Sequence, residues 1–391
     1  MFRKSISILL ITLLLLPQSN ILANESSDLA ESSKSAFLIE VDTGTVLYNK
    51  DSDKRLPPAS MTKLMTMLLV MEELDSGSLT LDETVQISEH AASMGGTQIY
   101  LEPFEEMSVK DLLKAVAIGS ANDASVALAE RIAVTEEAFV ERMNERAEEL
   151  GLSDTNFVNA TGLPADNQYS TAHDMAKIGQ ALLEHEKITD YTKVYEDYLR
   201  EGTDDEFWLV NTNKLVKFYQ GVDGLKTGYT SEAKYNLTAT AKRGEMRLIA
   251  VVMGAETTKD RNADITNMFD YGFGQYELHQ LHKAGEVLFS WDHMKADNDY
   301  LVAVPKTNIS LLLEKGDKLD DYHTELAMED LEQWPLSQGD TIGKIEVYKG
   351  EELLHEYPLI IRDEVEDASV WTLWKRMMNK LHHREMMSNS N

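Results

Sequence analysis

The chain has 391 residues, with 37 Lys or Arg against 67 Asp or Glu and a formal net charge of −30. Nucleic acid is excluded as a natural partner of so acidic a surface, because phosphate contacts need clustered cations. The absence of cysteine excludes disulfides, thiolate metal sites and a cysteine nucleophile, while the length and a 43% hydrophobic fraction allow two or three domains with an ordinary core.

In chain order, Arg3 and Lys4 precede an apolar run over 6–16, Pro17 breaks it, and Ala23 offers a small residue for cleavage. This is the plan of a secretory signal peptide over 1–23. The run falls short of the roughly 20 apolar residues of a membrane span. An uncleaved anchor is the alternative, and either places the protein outside the cytoplasm. A polar lead-in follows. Residues 36–39 read as a strand, Asp42-Thr43-Gly44 as a turn and 45–48 as the returning strand, which Pro57-Pro58 stops. Residues 60–73 carry Met61, Leu64, Met65, Leu68 and Leu69 at helical spacing. Helices are predicted from 109–113, 123–131, 136–150 and 171–183, and strands return at 235–241 and 248–253. Strands, helices and strands again make an α/β core with a helical insertion.

Gly272 to Gly274 punctuate the end of that region. Short strands follow at 301–304, 309–313, 342–348 and 353–361, with Lys349-Gly350 as a hairpin turn. The predicted division is a catalytic domain over 24–275, a small β-rich domain over 276–366 and a terminal helix over 367–391. On that helix Val370, Trp374, Met377 and Leu381 share a face, and Lys375, Arg376 and Lys380 lie opposite. Tryptophan with local basic charge suits an anionic membrane surface. The alternative is a stripe that packs on the protein itself.

Three short motifs carry chemistry. Ser60-Met61-Thr62-Lys63 opens the first helix, where a spacing of three puts both side chains on one face. A serine hydroxyl needs a base, and a desolvated lysine can be one. Backbone N–H groups at the helix start can stabilise an oxyanion. Alone the motif is common by chance. Ser120-Ala121-Asn122 lies in a break between helices and could equally be a helix cap. Lys226-Thr227-Gly228 could be a strand with a solvated lysine and a turn glycine. Together, in this order, they match the set found in penicillin-binding proteins and class A β-lactamases. There is no His-Glu-x-x-His, so the histidines read as surface or structural and no metal or other cofactor is called for.

The sequence resembles the low-molecular-mass penicillin-binding proteins that are serine D-Ala-D-Ala carboxypeptidases, over nearly the whole chain after the signal. Ala160-Thr161-Gly162-Leu163-Pro164, Asn211-Thr212-Asn213-Lys214-Leu215, residues 222–230 and Lys259-Asp260-Arg261 ahead of Phe269-Asp270-Tyr271-Gly272 all fit. Glu232-Ala233-Lys234-Tyr235 places it nearest the sporulation-associated DacF-type branch. The resemblance implies an α/β (α+β) transpeptidase fold of the penicillin-binding-protein/β-lactamase type with a helical subdomain, then a small all-β domain and an amphipathic helix. It implies cleavage of the terminal D-alanine from peptidoglycan stem pentapeptides, with β-lactam antibiotics as covalent inhibitors.

The roles it implies are Ser60 as acylated nucleophile, Lys63 as base, Ser120 as proton relay and Asn122 as a ligand of substrate or of Lys63. Lys226 and Thr227 would hold the substrate carboxylate, with Arg261 adding charge, and Gly228 would let the substrate lie along its strand. The N–H groups of Ser60 and Tyr229 would form the oxyanion hole, and Asp174 would support the site from outside. Ala121, Gln168 and Lys234 depart from residues common in the family, without removing a catalytic side chain. Alternatives are a DD-endopeptidase, a β-lactamase and a non-catalytic wall-binding protein. The nearest approach to a lactamase Glu-x-x-x-Asn is Glu141 with Asn144, one residue too short.

Overall fold

The structure, a computed structural model, describes residues 28–297, 300–329, 331 and 334–378. The expected signal peptide lies outside them, as do Lys380 and Leu381 of the expected terminal helix.

Strand β1 (Ser35–Glu40) is buried throughout, and β2 (Val46–Lys50) returns beside it. The Glu40 carboxylate ties the turn between them by accepting from the N–H groups of Asp42 and Thr43. Pro57 and Pro58 lead into a 3-10 turn at Ala59–Thr62 and then α1 (Lys63–Ser76). Every residue of α1 from Lys63 to Met71 is buried, as a helix apolar on all sides must be.

The hairpin of β3 (Thr84–Gln86) and β4 (Glu106–Ser108) encloses α2 (Glu89–Ala92) and a long loop. Next come α3 (Val109–Lys114), a π-turn over Ala115–Gly119, α4 (Asn122–Ala133), α5 (Glu136–Glu149) and α6 (Ala172–Glu184). Ser108, Thr135 and Thr171 cap α3, α5 and α6, each hydroxyl accepting the N–H three residues on. Short α7 (Thr189–Thr192), the hairpin β5 (Glu196–Leu199) and β6 (Phe207–Val210), and α8 (Leu215–Phe218) precede the long strands β7 (Val222–Thr230), β8 (Lys234–Arg243) and β9 (Met246–Ala255).

The central antiparallel sheet has the order β2-β1-β9-β8-β7. Its two faces divide the apolar run of β9. Ile249, Val251 and Met253 join the core of α1 and the helical insertion, whereas Leu248, Ala250 and Val252 pack with Ile265, Met268 and Phe269 of α9 (Thr258–Gln275). Burial on both faces is why the run does not alternate with polar residues. The glycines expected to punctuate the end of this region lie inside α9, a helix the pattern alone does not announce. Gly272 lets it press on the sheet, since an added Cβ would come within 2.6 Å of Leu248 Cδ1.

From Tyr276 to Ile361 the described chain is built of β-strands, with one 3-10 turn at Leu319–Asp321. Strand β10 (Tyr276–His282) pairs with β13 (Ile309–Glu314). A five-stranded antiparallel sheet runs β11 (Phe289–Trp291), β12 (Leu301–Pro305), β16 (Glu352–Ile361), β15 (Thr341–Lys349) and β14 (Tyr322–Met328) in that spatial order. It has its own core of Leu301, Ala303, Ile342, Leu359 and Ile361. Asp42 of the first unit reaches the β13 strand instead, its carboxylate accepting from Asn308 Nδ2 and Ser310 Oγ at 3.3 and 3.2 Å.

Residues 370–378 are helical. Arg376 donates to the carbonyls of Met294 and Ala296 at 3.1 and 2.5 Å. Val370, Trp371, Trp374, Met377 and Met378 are left exposed, with the two indoles stacked 5.0 Å apart. Among the described residues no helix is long and apolar enough to cross a membrane.

Candidate active site

Ser60 sits on the 3-10 turn that opens α1, and this turn is gripped on two sides. Gly162, at φ +84°, lies so close that an added Cβ would fall 1.9 Å from the Ala59 carbonyl oxygen. From β7, a Cβ on Gly228 would come 2.5 Å from the Pro58 carbonyl oxygen. Asn236 of β8 donates to the Pro57 carbonyl at 3.0 Å. The turn is therefore held between the sheet and the Ala160–Pro164 loop. Gly228 has a packing reason to be glycine beside the substrate reason that the resemblance implies.

Lys63 is wholly buried one turn on. Its Nζ lies 3.2 Å from Ser60 Oγ, 2.6 Å from Asn122 Oδ1 and 2.5 Å from the Thr161 carbonyl oxygen. An ammonium would donate to all three. A neutral amine has two N–H bonds and one lone pair. The two shorter contacts go to groups that only accept, which leaves the lone pair for the Ser60 hydroxyl. Burial first, and the charge of Lys226 second, hold Lys63 well below the usual lysine range, against a smaller upward pull from Asp123. The amine is therefore suited to take the serine proton.

Lys226 on β7 is buried and donates to the Thr227 carbonyl at 3.1 Å. Burial and the nearby Arg261 of α9 lower its pKa to about 7. Arg261 is itself buried and lowered to about 10 by burial, so it stays charged near neutrality. Its guanidinium donates to Asn262 Oδ1 at 2.8 and 3.1 Å. Among the described residues none of Lys63, Lys226 and Arg261 forms an ion pair, in a chain with 67 acidic residues. Buried cations without counter-charges lack a stabilising anion, and a ligand carboxylate would supply it. Thr227 Oγ1 donates to Thr212 Oγ1 at 2.7 Å, and Tyr229, exposed, packs on Tyr235 at a tilt of 32° with centroids 4.4 Å apart.

Residues 22–257 match the family described as D-alanyl-D-alanine carboxypeptidase, and residues 276–367 match the penicillin-binding protein 5 C-terminal domain. This chain belongs to the D-alanyl-D-alanine carboxypeptidase family. It is 52% identical to the D-alanyl-D-alanine carboxypeptidase DacF of Bacillus subtilis (strain 168), over 90% of this chain and 91% of that protein. Penicillin-binding protein 5 from Haemophilus influenzae superposes with a TM-score of 0.70 at 30% identity, covering 86% of this chain and 98% of that one. Penicillin-binding protein D2 from Listeria monocytogenes, in its cefotaxime-bound form, matches with a TM-score of 0.56 at 34% identity, over 62% of this chain and 97% of that one. The fold is the α/β penicillin-binding-protein-like fold followed by an all-β domain.

Within this family member the sequence-predicted residues fall into two groups. Ser60, Lys63 and Asn122 are joined by direct hydrogen bonds. Ser120, two residues before Asn122, is buried in a left-handed conformation at φ +67°, but among the described residues no hydrogen bond joins it to Ser60 or Lys226. Asp174 lies further out, in the first turn of α6. Its carboxylate accepts from Thr155 Oγ1 at 2.7 Å and the Asp154 N–H at 3.3 Å, at the start of the segment that reaches Thr161.

Gln168, one of the departures from the family, holds that segment too: it accepts from the N–H groups of Val158 and Asn159 and donates to the Leu163 carbonyl. Glu141 is exposed on α5, and Asn144 is engaged with Phe157, so neither serves as a lactamase base would. The sequence reading missed the Thr161 carbonyl, because a backbone acceptor leaves no mark on residue type. The glycine after it was the available signal.

Proposed function

We propose that this chain is a serine D-Ala-D-Ala carboxypeptidase that removes the terminal D-alanine of peptidoglycan stem pentapeptides by way of an acyl-Ser60 intermediate. The observation that carries it is the buried Lys63 amine, 3.2 Å from Ser60 Oγ with its two short contacts taken by acceptors. In this mechanism the substrate lies along β7, the edge strand of the sheet, with its terminal carboxylate on Lys226, Thr227 and Arg261. Lys63 takes the Ser60 proton as Oγ attacks the carbonyl between the two D-alanines. The N–H groups of Ser60 and Tyr229 receive the oxyanion. Ser120 passes a proton to the departing amine, D-alanine leaves, and water cleaves the ester. Each proton taken from Ser60 is thus returned to the leaving group. A strained β-lactam amide would acylate Ser60 in the same way.

The division of the chain also belongs to this reading: a signal peptide over 1–23, a catalytic domain over 24–275, a β-rich domain over 276–366 and a membrane-surface helix over 367–391. The exposed indoles of Trp371 and Trp374 support the last of these, and an enzyme held this way would face new cell wall from the outer side of the membrane.

Release of free D-alanine from a peptide ending in D-Ala-D-Ala tests the function. Wild type should release it and Ser60→Ala should not. Equal release by both would remove Ser60 from the mechanism, and none from folded wild type would overturn the proposal. A penicillin should add its intact mass to wild type and leave Ser60→Ala unmodified.

A further inference from the structure

Asp123, at the start of α4, is fully buried, and among the described residues no cation pairs with it. Its carboxylate is held by backbone instead. Ile99 N–H donates to it at 3.0 and 3.2 Å, Leu101 N–H at 3.1 Å and Ala124 N–H at 2.9 Å. A buried charge held by three N–H groups is costly to disturb. Asn122 grips the same loop. Its own N–H donates to the Thr97 carbonyl and its Nδ2 to the Gly95 carbonyl, both at 2.7 Å. Gly96, at φ +80°, leaves no slack, since a Cβ there would lie 2.8 Å from Asn122 Nδ2. From outside, Arg200 donates to the Ile99 carbonyl at 3.1 Å and to the Glu105 carboxylate at 2.8 and 3.1 Å.

This arrangement decides which way the Asn122 amide points. The Gly95 carbonyl can only accept, so it must face Nδ2, and Oδ1 is then turned to Lys63. The position of that carbonyl depends on the loop, and the loop depends on Asp123. We propose that Asp123 is a positioning residue for acyl transfer: by pinning residues 95–101 it orients the Asn122 amide, and through it the Lys63 amine, toward Ser60. This rests on Lys63 being the base. The charges facing Lys63 are Lys226 from β7 and Asp123 from α4, acting in opposite directions. Removing the Asp123 charge therefore lowers the Lys63 pKa further and moves the acid limb of acylation to lower pH, which a merely structural residue would not do.

The test is the second-order rate of Ser60 acylation by a fluorescent penicillin across pH, in the full chain. Wild type, Asp123→Asn, Asn122→Ala and the double variant are compared. Asp123→Asn should lower the plateau about 10- to 100-fold, the scale of a small misplacement of reacting groups, and shift the acid limb downward. In the Asn122→Ala background the same change should cost little, because its target is gone. A folded Asp123→Asn with a wild-type plateau and limb would overturn the proposal, as would costs that simply multiply in the double variant. If Asp123→Asn does not fold, Arg200→Gln loosens the same loop from outside. Slower acylation with an unmoved limb supports the proposal, and an unchanged rate overturns it. Failure of the proposed function shows separately, as wild type that is not acylated at all.

Discussion

At the residue scale the site depends on three buried basic groups, Lys63, Lys226 and Arg261, with burial lowering the pKa of each. Arg261 depresses Lys226, whose pKa is about 7. Arg261→Gln should therefore raise the Lys226 pKa and move the alkaline limb of kcat/KM to higher pH, while KM for a carboxylate-ended peptide rises about tenfold, the scale of one charge-assisted hydrogen bond. A substrate with an amidated terminus, tested in parallel, should show little change in KM.

Burying Lys226 also costs stability. Its folded value, about 7, lies below the roughly 10.4 of an unfolded lysine, so between these pH values the unfolded chain holds a proton that the folded chain does not. Stability rises with pH across that window, and the cost is fully felt below it. Lys226→Met should then unfold later than wild type near pH 7, by about 1–3 kcal/mol, with the gain shrinking toward pH 10 as thermal melts would show.

At the element scale two close approaches from distant parts of the chain, Gly162 and Gly228, set the Ser60 turn. Gly162 stands 1.9 Å, by an added Cβ, from the Ala59 carbonyl in a backbone conformation that side chains rarely adopt. Gly162→Ala should lose about 2–4 kcal/mol of stability and most of its acylation rate. Gly274→Ala is the control: it lies in helix α9 with nothing within 4 Å of the added methyl, and should be neutral or slightly stabilising in the same assays. Much at this scale is legible in sequence. The run of Leu64, Met65, Leu68 and Leu69 announces α1, and Thr135 and Thr171 mark helix starts. Helix α9 is not legible, because its Gly272 reads as a stop until the close approach of Leu248 gives it a reason. The hairpin of β5 and β6 is also missed, because each strand is only four residues long.

For the whole molecule, the β-rich unit and the terminal helix separate the catalytic cleft from whatever the helix touches. Arg376 fastens residues 370–378 to the loop at Met294–Ala296, and Val370, Trp371, Trp374, Met377 and Met378 stay exposed while Leu373 is half-buried. Replacing Trp371 and Trp374 together with Ser should weaken sedimentation with phosphatidylglycerol-rich vesicles several-fold. D-alanine release from a soluble peptide should be unchanged. Vesicle binding equal to wild type would remove the indoles from any anchoring role.

Most of the element order, though neither α9 nor the β5–β6 hairpin, was determined by sequence alone, as were the Ser60/Lys63 motif and the residue types of the site, since spacing on one helix and the identity of Ser60, Lys63, Asn122 and Lys226 are local properties. What only the tertiary structure decided is how residues 60, 122 and 161 come within hydrogen-bond reach of Lys63, with the charge of Lys226 acting on it, and in what protonation state. Burial and backbone acceptors set the Lys63 amine against Ser60, and neither is written in the type of any one residue. The same holds for Asp123, which in sequence is an acidic residue at a helix start and in the fold is a buried charge that accepts from the N–H groups of the loop beside Asn122 and of its own helix.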